Sequence, residues 1–215
     1  MRTFAIADIH ARGDLLEALL KKAPIDPNKD RLIILGDICD IGDNLEKTIQ
    51  ILNTFKHRIF ILGNHDKWEL NRTYKEYAFV ENKKGGHFIK LKWEFLTKYV
   101  PFFIDEKNRL FVHGGFKPGT HPKDSELEFL IWDRDLISYA AENEIKDFDE
   151  VFVGHTATQN ILGVDTPIRF HNLWMLDTGC GYRGKLTIMD VDTKDYWQLG
   201  DKDIEKTIPT FKSLV

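Results

Sequence analysis

Five short apolar runs constrain the fold of this chain more than any other feature: Thr3 to Ala7, Arg31 to Leu35, Arg58 to Leu62, Arg109 to Val112 and Val151 to Val153. Each stops abruptly at Gly or at a polar or charged residue. Runs this short and this rich in Ile, Val, Leu and Phe predict strands buried on both faces. Between the first three lie segments of helical period: Asp14 to Lys22, with Leu15, Leu16, Leu19 and Leu20 on one side, and Asn44 to Lys56, with Leu45, Ile49, Leu52 and Phe55. Asp14 and Asn44 are the expected N-caps. Strand, loop, helix and strand in succession imply parallel strands joined by right-handed crossovers, so the loops after the strands open at one carboxyl edge. A functional site is expected at that edge.

From Lys67 to about Val100 the sequence is charged and aromatic, with helices expected around Lys67 to Tyr77 and Leu91 to Tyr99, on either side of a Gly85-Gly86 break. This stretch, 67–100, is a candidate helical cap or rim. Trp68, Tyr74, Tyr77 and Trp93 are assigned to helix packing or the core, with a substrate rim as the alternative. A further helix is expected over Ser125 to Ala141, after the loop Lys117 to Pro122. Pro167 to Phe170, Leu173 to Leu176, Lys185 to Val191 and Tyr196 to Leu199 read as strands between turns, a largely antiparallel portion. No repeat, low-complexity tract or linker divides the chain. Residues 1–215 are expected to form a single α/β domain of two packed sheets, a β-sandwich flanked by helices.

The hydrophobic fraction, 42%, is enough to fill a continuous core. A net charge of -4 lacks the basic excess that binds a nucleic-acid backbone without sequence preference, so no nucleic-acid polymer is expected as a partner. Cys39 and Cys180 stand far apart in a chain with no disulfide-framework spacing, which fits a reduced compartment. The opening run reaches Asp8 and His10 too soon for a signal-peptide core or a spanning helix, so no membrane partner and a cytoplasmic location are expected.

The chemistry follows the strands. Asp8 and His10 come after the first, Asp37 and Asp40 after the second, and Asn64, His65 and Asp66 after the third; His113-Gly114-Gly115 and Gly154-His155-Thr156 follow the fourth and fifth. Five strand ends thus aim imidazoles and carboxylates at one edge. Asp14, Asp43 and Asn44 are ordinary cap and turn residues, and Cys39 is a small loop or core residue. Mixed oxygen and imidazole donors suit Mn, Fe or Zn, not a thiolate zinc site or an all-oxygen calcium loop. There are too many donors for one ion, so two divalent metals are expected, with Asp37, central in the order, as the bridge.

Asp8-Ile9-His10, Gly36-Asp37-Ile38-Cys39-Asp40-Ile41-Gly42, Gly63-Asn64-His65-Asp66, His113-Gly114-Gly115 and Gly154-His155 stand in the order and near the spacing of a known pattern. In these motifs the chain resembles the calcineurin-like metallophosphoesterases, and within them the bacterial and phage-type phosphoprotein phosphatase branch. The resemblance runs from about residue 3 to residue 191 and implies the metallophosphoesterase fold. It also implies that Asp8, His10 and Asp37 hold one metal, while Asp37, Asn64, His113 and His155 hold the other, most often Mn in the laboratory. His65 would be the general acid and Asp40 the residue that orients it.

The sequence departs from the pattern at Ile41, where the family has an arginine that clamps phosphate. Arg134, in Trp132-Asp133-Arg134, matches a second phosphate-binding arginine, and Arg12 lies on a loop facing the same edge; with Asn64 these are the candidate phosphate contacts. Ala7 and Ala11 also stand where smaller or different loop residues are common. The resemblance implies a phosphomonoesterase, first of all a serine/threonine-type protein phosphatase, in which a metal-bridging hydroxide attacks phosphorus in line. The alternatives are a hydrolase of dinucleoside polyphosphates or other small phosphate esters and, third, a phosphate-binding module with weak catalysis.

Overall fold

The tetrads TFAI, RLII and HRIF form β1 (Thr3–Ile6), β2 (Arg31–Ile34) and β3 (His57–Phe60) in a computed structural model that describes residues 1–80, 87–182 and 184–205. They pair in parallel, Ala5 beside Ile33 and Ile33 beside Ile59. The crossovers are α1 (Gly13–Lys22) and α2 (Leu45–Asn53). The chain continues through α3 (Asn64–Val80), α4 (His87–Leu96), β4 (Phe102–Ile104), β5 (Arg109–Val112), α5 (Leu127–Trp132), α6 (Asp135–Glu142) and β6 (Glu150–Val153). It ends with α7 (Gln159–Leu162), β7 (Ile168–Phe170), β8 (Leu173–Met175), β9 (Lys185–Asp190), β10 (Tyr196–Gly200) and α8 (Asp201–Glu205).

Two five-stranded mixed sheets result, ordered β10-β9-β1-β2-β3 and β4-β5-β6-β8-β7. Period-2 alternation explains how they pack. Phe4, Ile6, Leu32 and Ile34 point one way and are buried with Leu15, Leu16 and Leu19 of α1 and Ile49 and Leu52 of α2. Ala5, Ile33 and Leu35 point the other way and meet Phe111 and Phe152 of the second sheet. Those two rings stack at 5.0 Å. Because both faces of these strands are covered, their sequences read as unbroken apolar runs. Cys39 and Cys180 are buried free thiols.

Several expectations need correction. The segment Ser125 to Ala141 is two helices, α5 and α6, because Asp133 is extended and its carboxylate accepts hydrogen bonds from Asp135 N (3.2 Å) and Leu136 N (3.1 Å). That carboxylate caps the second helix and so ends the first. Asp14 is not an N-cap: Arg12 holds that position, and the Asp14 carboxylate pairs with Lys47 of α2. Asn44 does precede α2, but its side chain caps nothing. The expected antiparallel portion is mixed, since β8 joins β6 in parallel while β7–β8 and β9–β10 are antiparallel. Helix α3 begins at Asn64, earlier than periodicity indicated, which moves Asn64, His65 and Asp66 from a loop into a first helical turn. The Gly85-Gly86 break and the Tyr77 side chain lie outside the described residues.

Candidate active site

The carboxyl edge of the first sheet is built on unusual backbone. Asp8, His10, Ala11, Asp37, Asp40 and Ile41 all have φ between 50° and 68°. The left-handed region costs a non-glycine residue about 1–2 kcal/mol, so such turns persist only where other contacts fix them. Here His10 N donates to Asp37 O (2.9 Å) and Ala11 N to Ile38 O (2.7 Å), tying the first loop to the second. Asp66 ties the second loop to the third. Its carboxylate accepts from Ile38 N (2.9 Å), Cys39 N (3.0 Å), Gly63 N (3.1 Å) and the Tyr99 hydroxyl (3.0 Å). Asp66, counted from the sequence among the metal-ligand types, is thus spent on the scaffold. Gly63 is required by proximity: a Cβ there would collide with the carboxylate and backbone nitrogen of Asp37.

Two triads of donor atoms, Asp8-His10-Asp37 and Asp37-His113-His155, lie each within 4.8 Å, and Asp37 belongs to both. The His113 ring gives the clearest test of what the cluster would accept. Its Nδ1 lies 2.6 Å from the Leu35 carbonyl, which can only accept, so Nδ1 carries the proton. Nε2 then presents a lone pair at 3.1 Å from Asn64 Oδ1 and 3.3 Å from Asp37 Oδ1. Three potential donor atoms converge, and either a second proton on the ring, which Asp37 favours, or a bound cation satisfies them. Nearby, His10 Nδ1 and His155 Nε2 are buried with no hydrogen-bond partner among the described residues. The donor set fits divalent metal ions.

The titration behaviour agrees. Burial drives His10 down to about 4 and His155 to about 3, with His113 and Arg134 adding to the second, so both rings are neutral at physiological pH and free to offer a lone pair to a cation. Burial, with Asp177 and Asp37 close by, raises the Asp8 carboxyl well above its usual range. Burial opposes ionisation of Asp37 too, but His113, His10 and His65 outweigh it and hold that carboxyl low. His155 N–H donates to both Asp8 oxygens, at 3.2 and 3.1 Å, which locks the two sheets together at the cluster.

His65 faces the same space. Its Nδ1 is 3.0 Å from Asp40 Oδ2, so it is the donor to that carboxylate, and its Nε2 turns toward Asp37 Oδ2, 3.9 Å away. His65 N–H also donates to Asp37 Oδ1 (3.0 Å). A cavity of about 1380 Å³ opens over Asp8, His10, Asp37, Asn64, His65 and His155 and includes Arg134. Arg134 makes no ion pair with a described carboxylate. Arg12 is placed differently: its guanidinium is held by Asp201 and the Cys180 carbonyl and does not line the cavity. Ile41 is 43% exposed beside Asp40.

Sequence reasoning passed over two features. Asp177 lines the cavity beside Asp8, and burial together with Asp37 raises its carboxyl to about 6. It follows the apolar run Leu173 to Leu176, the same signal that marked the other strand ends. Trp68, assigned to packing, is instead half exposed and lines the cavity with Trp132. Tyr74 does pack on another helix, against Trp93 at 5.7 Å.

Residues 1–178 match the calcineurin-like phosphoesterase family. The chain belongs to that family. It is similar to serine/threonine-protein phosphatase 1 of Salmonella typhimurium, at 22% identity over 86% of this chain and 89% of that one. It is also similar to a symmetrical bis(5'-nucleosyl)-tetraphosphatase of Pseudomonas fluorescens, at 23% identity over 90% and 92%. The Buchnera aphidicola tetraphosphatase is 28% identical over 55% of this chain, which spans about half, 46%, of that relative's length. Among solved structures, one provisionally designated a diadenosine tetraphosphatase superposes with a TM-score of 0.72 over 93% of each chain at 18% identity, a likeness of fold. No helix among the described residues is long and apolar enough to cross a membrane.

Proposed function

We propose that this phosphoesterase hydrolyses phosphate monoesters with two divalent metals, one held by Asp8, His10 and Asp37 and the other by Asp37, Asn64, His113 and His155. The observation that carries the reading is the convergence of donor atoms of His113, Asn64 and Asp37 where two donor triads share Asp37. When bound, the metals supply an acidified water and neutralise charge on the phosphoryl oxygens. His65 Nε2 protonates the leaving oxygen. Asp40 fixes the ring through Nδ1 and stabilises its charged form. Arg134 binds a phosphoryl oxygen from the side of His155.

Similarity along most of both chains supports phosphoserine or phosphothreonine proteins, which are monoesters, and, as a second reading, dinucleoside polyphosphates, whose scissile bond is a phosphoanhydride. Phosphopeptides assayed against diadenosine tetraphosphate in manganese separate them. The role of His65 has its own test. His65→Asn should lower kcat on glycerol phosphate by roughly 10²–10⁴-fold and much less on p-nitrophenyl phosphate, whose leaving group needs no proton. Equal losses on both esters would remove His65 as the acid. Asp37→Asn should abolish manganese binding by calorimetry, and unchanged binding would overturn the shared-ligand reading.

A further inference from the structure

One wall of the cavity is an aromatic corner for which the hydrolytic chemistry has no use. Trp68 lies three residues beyond His65 on α3, hence on the same helical face, and meets the His65 ring edge to face at 4.7 Å. Trp132, the last residue of α5, meets His155 in the same way at 5.5 Å. The two indoles pack on each other, 5.5 Å apart and tilted by 53°. Trp68 is 50% and Trp132 37% exposed, and both line the cavity. Two large apolar rings left in water beside convergent polar groups mark a ligand contact.

Charge points the same way. Among the described residues lining the cavity, Arg134 is the one Lys or Arg, and Ile41 supplies no guanidinium from the neighbouring loop. Tyr182, 74% exposed, adds a third ring on the flank of His10. Stacking on these rings is therefore available as a source of affinity beyond the phosphoryl group. The corner adjoins His65, the acid on the leaving-group side, through Trp68 at 4.7 Å, so an aromatic group on the leaving side of the ester is the one it can stack.

We propose that the Trp68–Trp132 corner stacks the base of a nucleoside phosphate ester, with the nucleoside as the leaving group. The inference rests on the assignment of His65 to the leaving-group side. In the step, the water oxygen bonds to phosphorus, the P–O5′ bond breaks, and O5′ takes the proton from His65 Nε2. The water's lost proton recharges His65 through solvent, leaving a nucleoside and inorganic phosphate.

Adenosine 5′-monophosphate and ribose 5-phosphate share phosphate and sugar and differ by the base alone. With the full chain in manganese, kcat/KM should favour the adenosine ester by roughly tenfold or more, through KM, as for other base–aromatic stacks. Adenosine 5′-monophosphate should also quench tryptophan fluorescence at concentrations at which ribose 5-phosphate does not. Trp68→Ala should collapse the ratio toward one, and Trp68→Phe should restore most of it. Should Trp68→Ala misfold, Trp68→Phe and the quenching comparison still decide. Equal KM values and equal quenching for the two esters overturn the aromatic corner while leaving the phosphatase reading intact. No turnover of either ester, or of p-nitrophenyl phosphate, fails that underlying reading, and quenching by the base alone would still support the corner.

Discussion

The first sheet delivers Asp8, His10 and Asp37 on left-handed backbone, whereas the second delivers His113 from an ordinary strand end and needs positive φ only at His155. The first edge is held by hydrogen bonds between loops, with Asp66 gathering three backbone N–H groups from two of them. The second edge is held to the first by His155 N–H donating to Asp8, and by close packing: a Cβ on Gly154 would strike Asp8, and one on Gly115 would strike Asp133. Strained turns fix donor atoms tightly because few conformations satisfy all their bonds at once. In the proposed function the first edge accordingly supplies the rigid part of the metal scaffold. The second edge, with Arg134 and Trp132 at the break between α5 and α6, opens on the cavity.

The contrast can be broken first at Asp66. Asp66→Ala leaves three buried N–H groups and the Tyr99 hydroxyl without their acceptor, and should cost about 4 kcal/mol of unfolding free energy by urea titration. A loss under 1 kcal/mol would mean that the left-handed loops hold themselves. Metal binding sharpens the comparison next. Asp8 and His113 both titrate above their ordinary values and must lose protons to become ligands, while His10 and His155 are already neutral. Manganese affinity should therefore rise with pH through neutrality, by roughly tenfold per unit for each proton displaced, and calorimetry in two buffers should show proton release. Flat affinity from pH 6 to pH 8 would contradict this. The smallest effect belongs to Asp133. Asp133→Ala removes the cap of α6 and should cost about 1 kcal/mol while raising KM through Arg134, with manganese affinity unchanged. A change in metal affinity would show that the two edges are not separable.

The amino-acid order alone determined the parallel β1-β2-β3 core and the identity of the donors at its edge. Apolar runs buried on both faces and the residues that end them are local signals, carried by periodicity and by the sharp change from Leu, Ile or Val to Asp, His and Gly. The same signal stood at Leu173 to Asp177 and was legible there too. What the tertiary structure alone decided were the allegiances of long or multivalent side chains. Asp66 and Asp40 are both carboxylates at strand ends; the family resemblance already implied Asp40 as the partner of His65, but only the fold reveals Asp66 as a brace for backbone amides. Arg134 matched a family phosphate-binding arginine and Arg12 only a loop facing the same edge; in the fold Asp201, 189 residues away, holds Arg12, and the helix break at Asp133 leaves Arg134 at the cavity. Trp68 has helical spacing that reads as packing, and it faces the cavity because His65, three residues before it, does. Each outcome depends on partners distant in sequence, and no local pattern records which of several satisfiable contacts wins.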